Sequence, residues 1–379
     1  MNMRRKKRIL FHTHALRTGG AERQLALLVK GLVARDVEPH VVTLYPGGSF
    51  WDDLTAWGGC HLISLNRKSK WNFSVIPKLI EFIKINDIDL IQGWMPPANT
   101  FAAIAGLITR RPVAMGVRAS NARYPTLGSK LYLHTDRLFG CWIAKAIVCN
   151  SEQGRLYHLS IGYPADKLQV IPNGIEVPEN YKFPPPLAHE PPWHVGMLAQ
   201  LDPIKDHATM FQALRILLDH GEKVILHLYG DGPVDYRTEL IILAKTLGIS
   251  KCVKWYGLVE DIWATLANMD FLVSSSYGEG MSNALMEGMA AGRIVVATEV
   301  GDARILLEGS HGMCGHLVPA KNPEALASAI RAALKDPENA RRYAQRAQDV
   351  INRHYSTTIM VERYHRLYEN ILADKVIVS

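Results

Sequence analysis

The sequence predicts an α/β protein with two doubly wound parallel-sheet domains, and three observations carry this. Short apolar runs rich in Val, Ile and Leu alternate with amphipathic helical stretches through the first half. The alternation breaks at 176–193, where six prolines can extend neither a helix nor a central strand. It then restarts and continues to the end. Strands separated by helix-length segments need crossover connections, and those make parallel sheets. A chain of 379 residues is long enough for two domains with separate cores.

In the first half the pattern places strands at 8–12, 39–44, 61–65, 90–92, 113–117 and 146–149, and helices at 21–34, 75–85, 98–107 and 128–140. In the second it places strands at 194–198, 224–229, 253–256, 271–275 and 294–297, and helices at 204–218, 235–247, 260–267, 281–291 and 323–333. Two further helices, 339–352 and 357–372, close the sequence. The expected domains are therefore 1–175 and 194–356, with 176–193 as a proline-rich linker.

Composition narrows the class. Apolar content of 48% and charged content of 21% suit a globular protein and exclude a disordered one. The apolar run 101–109 is too short to span a bilayer. The N-terminus, Met-Asn-Met-Arg-Arg-Lys-Lys-Arg, lacks the apolar segment of a signal peptide. Five scattered cysteines with no C-x-x-C pair read as reduced thiols, so a cytoplasmic location is expected. The net charge of +7 is uneven: residues 1–175 hold 23 Lys and Arg against 11 Asp and Glu, or +12, and the remainder 20 against 25, or −5. The basic half suits a solvated surface or peripheral contact with an anionic membrane. No nucleic-acid-binding module is present, so no nucleic acid partner is expected.

The residues that could carry chemistry fall at the carboxyl ends of expected strands, where open α/β sheets bind ligands. Glu279 and Glu287 lie eight residues apart around Gly280, Met281, Ser282 and Asn283, between a strand and an apolar helix. The first amides of a helix lack internal partners and suit an anion. An ionised carboxylate beside them only accepts hydrogen bonds and so can read hydroxyls. Phosphate together with hydroxyls points to a nucleotide sugar. Gly19 and Gly20 form a second strand-to-helix loop, where glycine permits close backbone approach. Gly230 sits in the turn Tyr-Gly-Asp-Gly-Pro, and Leu258 in Tyr-Gly-Leu-Val-Glu-Asp. His12, His14, Asp87 and Asp89 could suggest metal ligands, but Asp87-Ile-Asp89 precedes a strand far from the other motifs and reads as a solvated loop. No metal site is expected.

The run from Glu279 to Glu287 resembles the E-x7-E signature of retaining glycosyltransferases of the GT-B fold, above all glycosyltransferase family 4. Leu16–Arg23 is similar to that family's first glycine-rich loop, Val170-Ile-Pro-Asn-Gly-Ile175 to its domain-junction turn, and Gly196–Asp206 to the opening of its donor domain. The likeness runs over about residues 8 to 370. It implies two Rossmann-like domains facing a central cleft, with the last helix crossing back to the first domain. It implies transfer of a sugar from a UDP- or GDP-sugar to a glycan or lipid-linked acceptor, with retention of configuration and no cofactor or metal. Bacterial surface polysaccharide assembly at the inner face of the membrane is the expected setting. By the same resemblance Glu279 contacts the transferred sugar, Glu287 the nucleotide ribose, and Lys205 the diphosphate. Two positions depart from the pattern. The family's arginine five residues before Lys205 falls on Gln200, which brings a hydrogen bond but no charge. Where many members carry a histidine after the fifth strand, the run Ala114–Asn121 places Arg118, a cation that could take over part of the phosphate binding. The alternative reading is a nucleotide-sugar-binding subunit of a polysaccharide assembly complex with little or no catalysis.

Overall fold

The structure, a computed structural model, describes residues 5–69, 72–118, 127–259, 261–308 and 312–373. It divides into two compact units, Met1–Gly174 with Thr357–Ser379, and Ile175–Ser356. Met1, Asn2, Met3, Arg4, Ala119, Ser120, Asn121 and Glu260, which belong to runs considered above, lie outside the described residues, as do residues 374–379.

In the first unit the chain runs β1 (Lys7–Thr13), α1 (Gly20–Leu32), β2 (Val37–Thr43), α2 (Ser49–Trp57), β3 (His61–Ser64), α3 (Val75–Ile85), β4 (Leu90–Trp94), α4 (Ala98–Thr109), β5 (Val113–Val117), α5 (Leu127–Trp142), β6 (Ala146–Cys149), α6 (Glu152–Ser160) and β7 (Leu168–Val170). Among the described residues its sheet has seven strands, all parallel, in the order β3-β2-β1-β4-β5-β6-β7. β1 is an interior strand, third in this order, so the chain winds outward from it in both directions and leaves helices on both faces. β4, β5 and β6 are buried throughout, as central strands covered on both faces must be.

The second unit runs β8 (Trp193–Leu198), α7 (His207–Asp219), β9 (Val224–Tyr229), α8 (Val234–Thr246), β10 (Val253–Gly257), α9 (Ile262–Ala267), β11 (Phe271–Ser274), α10 (Asn283–Ala290), β12 (Ile294–Thr298), α11 (Ala303–Leu307), β13 (His316–Val318), α12 (Pro323–Lys335) and α13 (Pro337–His354). Its sheet is also parallel, in the order β10-β9-β8-β11-β12-β13. Two cores flank it. One holds Phe211, Leu214 and Ile330, and the other Met286, Met289 and Leu306.

The final helix, α14 (Thr357–Ala373), belongs to the first unit. Met360, Val361, Tyr364, Leu367, Tyr368 and Ile371 recur at helical spacing and enter the core formed with α1.

The stretch 176–193 is no free tether, and here the structure departs from the expected linker. It lies wholly within the second unit. Proline has no N–H to give, so the strap is held largely by its carbonyls. Buried Arg293 donates to Pro184 O (2.6 Å), Met269 O (2.7 Å) and Ala291 O (2.9 Å). Arg341 donates to Pro186 O (3.0 Å) and Leu187 O (2.6 Å). Asp270 accepts from the Leu187 and His194 amides at 2.7 and 2.9 Å.

Candidate active site

Lys205 and Glu279 are brought together. After β8 the chain makes a single 3-10 turn, Pro203–Lys205, with Asp202 as its cap, and Asp206 then caps α7 at the Thr209 amide. These two acids delay the helix expected at 204 to His207 and leave Lys205 on the turn. Its Nζ donates to Glu279 Oε1 at 2.6 Å, and Ser276 Oγ donates to the same oxygen at 2.8 Å. The pair is mostly screened from water, with side-chain exposures of 25% and 15%. Ser275 Oγ donates to the Lys205 and Asp206 carbonyls at 3.0 Å, which ties the end of β11 to this turn.

The loop carrying Glu279 is braced from β12. The Asp302 amide donates to Gly280 O at 2.9 Å. Gly301 has φ +56°, and a Cβ there would stand 2.3 Å from Gly280 O, so glycine is required at this contact. Helix α10 opens at Asn283, two residues later than expected, because Ser282 caps it by accepting from the Leu285 amide. The positive end of its dipole therefore lies at residues 282–283, next in the chain to Gly280 and Glu279. Met281 precedes the helix and its side chain packs in the core, so it can offer a ligand only its backbone. Glu287 sits inside α10 and is buried.

Three more expected residues converge at the ends of β8, β9 and β10. Gly230 has φ +141°, and a Cβ there would overlap Ala199 O at 1.9 Å. Its amide donates to Gly257 O at 2.7 Å. Gln200 is thus next to Gly230, and Leu258 follows directly; both are exposed.

The remaining expected residues form a cluster in the first unit. Gly19 is the N-cap of α1 and Gly20 its first residue. Trp94 Nε1 donates to Ala21 O at 3.0 Å. The Arg118 guanidinium lies 4.0 Å over the Trp94 ring and donates to Asn173 Oδ1 at 2.7 Å. Burial lowers the Arg118 pKa, while Tyr364 and Glu22 oppose that shift. Burial raises the Glu22 pKa, and its own backbone amide and Arg118 oppose it. Arg118 is thus a half-buried cation, stacked on Trp94 and held by Asn173. Gln24 grips the junction turn twice, donating to Gly174 O at 2.9 Å and accepting from its amide at 2.8 Å.

Asp87 pairs with Arg5 and Arg111, and Asp89 with Arg5 and the Arg8 amide. His12 is fully buried with Nδ1 2.8 Å from Val42 O. Among the described residues one group has the chemistry of a metal-ligand set, Glu38, His40 and His61, with ligand atoms within 4.8 Å of one another. It joins β2 to β3 and was not legible in the sequence. Glu38 is 3.4 Å from the Arg8 guanidinium, which already balances its charge, so the group reads as a polar clasp at the sheet edge.

Fold and site together define a class: two parallel Rossmann-like sheets with a lysine–glutamate pair at the strand ends of the second, as in GT-B glycosyltransferases. Two family models divide the chain between them. The model for Glycosyltransferase Family 4 matches residues 18–178, and that for Glycosyl transferases group 1 matches 193–336. The chain belongs to this group 1, family 4 type and is a glycosyltransferase. It is 25% identical over 368 residues to the lipopolysaccharide core biosynthesis glycosyltransferase LpsE of Rhizobium meliloti, covering 94% of this chain and 97% of that one. It is 28% identical over 293 residues to a phosphatidyl-myo-inositol mannosyltransferase of Mycobacterium leprae, covering 75% and 74%. Among solved structures, Anabaena HepE in complex with UDP and glucose superposes with a TM-score of 0.83 at 23% identity, over 95% of this chain and 99% of that one. A glycosyltransferase from Rickettsia africae gives 0.78 at 20% identity, over 97% and 99%.

Proposed function

We propose that the protein moves a sugar from a nucleotide-diphosphate sugar, with UDP-sugars the first to test, to a glycan or lipid-linked acceptor in bacterial surface polysaccharide assembly. Retention of configuration and independence of divalent metal are part of this reading. The observation that carries it is the Lys205–Glu279 pair beside the start of α10. An ammonium has three donors, so Lys205 can keep Glu279 and still offer two N–H groups to a diphosphate. Charge on the departing diphosphate is what the reaction must stabilise, and Lys205 with the α10 dipole supplies the positive end. Glu279, held by Lys205 and Ser276, can accept from sugar hydroxyls and fix the donor. Glu287 is assigned to the ribose, and Gln200, Gly230 and Leu258 to the nucleotide. Gly19 and Gly20 are assigned to the donor, as a loop that also meets the acceptor, and Arg118 to the catalytic step as a further cation for phosphate. The relatives of lipopolysaccharide core biosynthesis and phosphatidyl-myo-inositol mannosylation support such acceptors, and HepE with UDP supports the donor.

The test is release of nucleoside diphosphate from a panel of sugar nucleotides, with the product anomer read by NMR and EDTA added in parallel. Lys205→Ala is expected to lower kcat by about a hundredfold or more, the scale for losing a charge aimed at a leaving group. Glu279→Gln should do likewise, with the fold retained. One observation favours the second reading, a donor-binding subunit with little catalysis: exposed Gln200 stands where the family places a cation. Tight binding of a sugar nucleotide without release would select it.

A further inference from the structure

The first unit presents an apolar face that its own core does not use. Helix α5 shows Leu131 (56% exposed), Leu138 (47%) and Trp142 (81%) to the outside, while Asp136 and Gly140 are buried. Positions i, i+7 and i+11 share one side of a helix, so the three form a stripe along most of its length. Helix α4 lies beside it, with Thr100 Oγ1 3.5 Å from Thr135 Oγ1. Both helices return from parallel strands and so run in the same direction. Seven residues beyond that contact, Leu107 (63%) reaches the level of Trp142, and Ile108 (55%) is exposed beside it. Single exposed leucines are ordinary surface features, but five large apolar side chains on two adjacent helices are not.

Charge decides what covers this face. Helices α4 and α5 contain one acidic residue, Asp136, and it is buried. The chain just beyond them carries exposed Arg110 and Lys145 at the Trp142 end. Tryptophan and leucine flanked by exposed cations, with no exposed acid on either helix, match the boundary between acyl chains and phosphate head groups. A second copy of the chain would instead set these cations against each other or against an apolar face. No described helix is long and apolar enough to cross a membrane, so contact would be from one side.

We propose that α5 is a membrane-docking helix that lies along an anionic phospholipid surface. Leu131, Leu138 and Trp142 enter the head-group boundary, and Arg110 and Lys145 pair with lipid phosphates. This rests on the reading above for its purpose, delivery of a lipid-linked acceptor. Binding is measured without turnover, however, so its failure would leave the transferase reading intact.

The test is flotation of the full-length protein with vesicles of phosphatidylglycerol and phosphatidylethanolamine, and with phosphatidylcholine vesicles. Binding to the first is expected to be at least tenfold tighter, given roughly fivefold for each cation near the surface, and to weaken with salt. Leu138→Ser with Trp142→Ser should reduce it by about tenfold or more. Arg110→Glu with Lys145→Glu should remove the preference for anionic lipid. Quenching by brominated lipid should be smaller in Trp142→Phe than in the parent, a readout that needs no disruptive change. No flotation, flotation unchanged in the Leu138/Trp142 variant, or a dimer in solution that this variant turns into monomer would each overturn the proposal.

Discussion

Lys205 shows how one side chain can be held ready without being spent. Its partner Glu279 is fixed by Ser276, and both sit on turns locked by Asp202, Asp206 and Gly301. These residues were legible because each motif is a contiguous run at a strand end. The Glu22–Arg118–Asn173–Tyr364 cluster was not, since its members come from four separated segments and only folding assembles them. Asp136 was silent in the sequence too, yet it has a measurable consequence. Burial lifts its pKa from 3.8 to about 7, against a hydrogen bond from Tyr163 at 2.7 Å. Between about pH 4 and 7 the unfolded carboxyl is ionised while the folded one keeps its proton. Stability present below pH 4 is therefore lost as pH rises through 7, by an amount on the order of 4 kcal/mol. Asp136→Asn cannot ionise and keeps an acceptor for Tyr163. Its melting temperature should exceed the parent's at pH 8 and approach it at pH 4; an equal melting curve at pH 8 would contradict this.

At the scale of elements, the long periodic helices and the buried strands were readable, whereas α2, α6, α11, β7 and β13 were not. These are short, and α6 is largely polar, so they carry too few apolar repeats to fix a period. The proline-rich strap misled for a different reason. Its composition resembles a linker, but the groups that fasten it, Arg293, Arg341 and Asp270, lie far along the chain. Arg293 is buried and satisfies three carbonyls at once. Arg293→Leu should destabilise the second unit by about 3 kcal/mol, because it orphans those acceptors and removes a permanent charge that faces Asp270, which keeps His189 at 3.2 Å. Thermal unfolding by circular dichroism checks this, and Arg331→Leu, which removes only a longer pair to Glu222 at 3.4 Å, should change it by well under 1 kcal/mol.

Over the whole molecule, the doubly wound class followed from alternation alone, and the return of α14 to the first unit came only with the family likeness. Nothing in a helical period says which core an element joins. That return makes Ile175–Ser356 an inserted segment with both cores of its own inside it. Its ends meet, since Ile175 bridges Ser356 and its amide donates to Tyr355 O at 2.8 Å. Residues 175–356 expressed alone should fold and melt cooperatively, whereas truncation at Thr357 should unfold the first unit by exposing the core around Tyr364 and Tyr368. Hydrogen exchange on both would reveal the opposite outcome. On the other side of the same seam, Gly174 abuts Thr357, with a Cβ at Gly174 only 2.7 Å from the Thr357 Cα. A gene shuffled at these two neighbouring seams exchanges one uninterrupted reading block and never reroutes the backbone. Chimaeras of that design should inherit sugar preference from the transplanted block while the recipient keeps its own choice of acceptor.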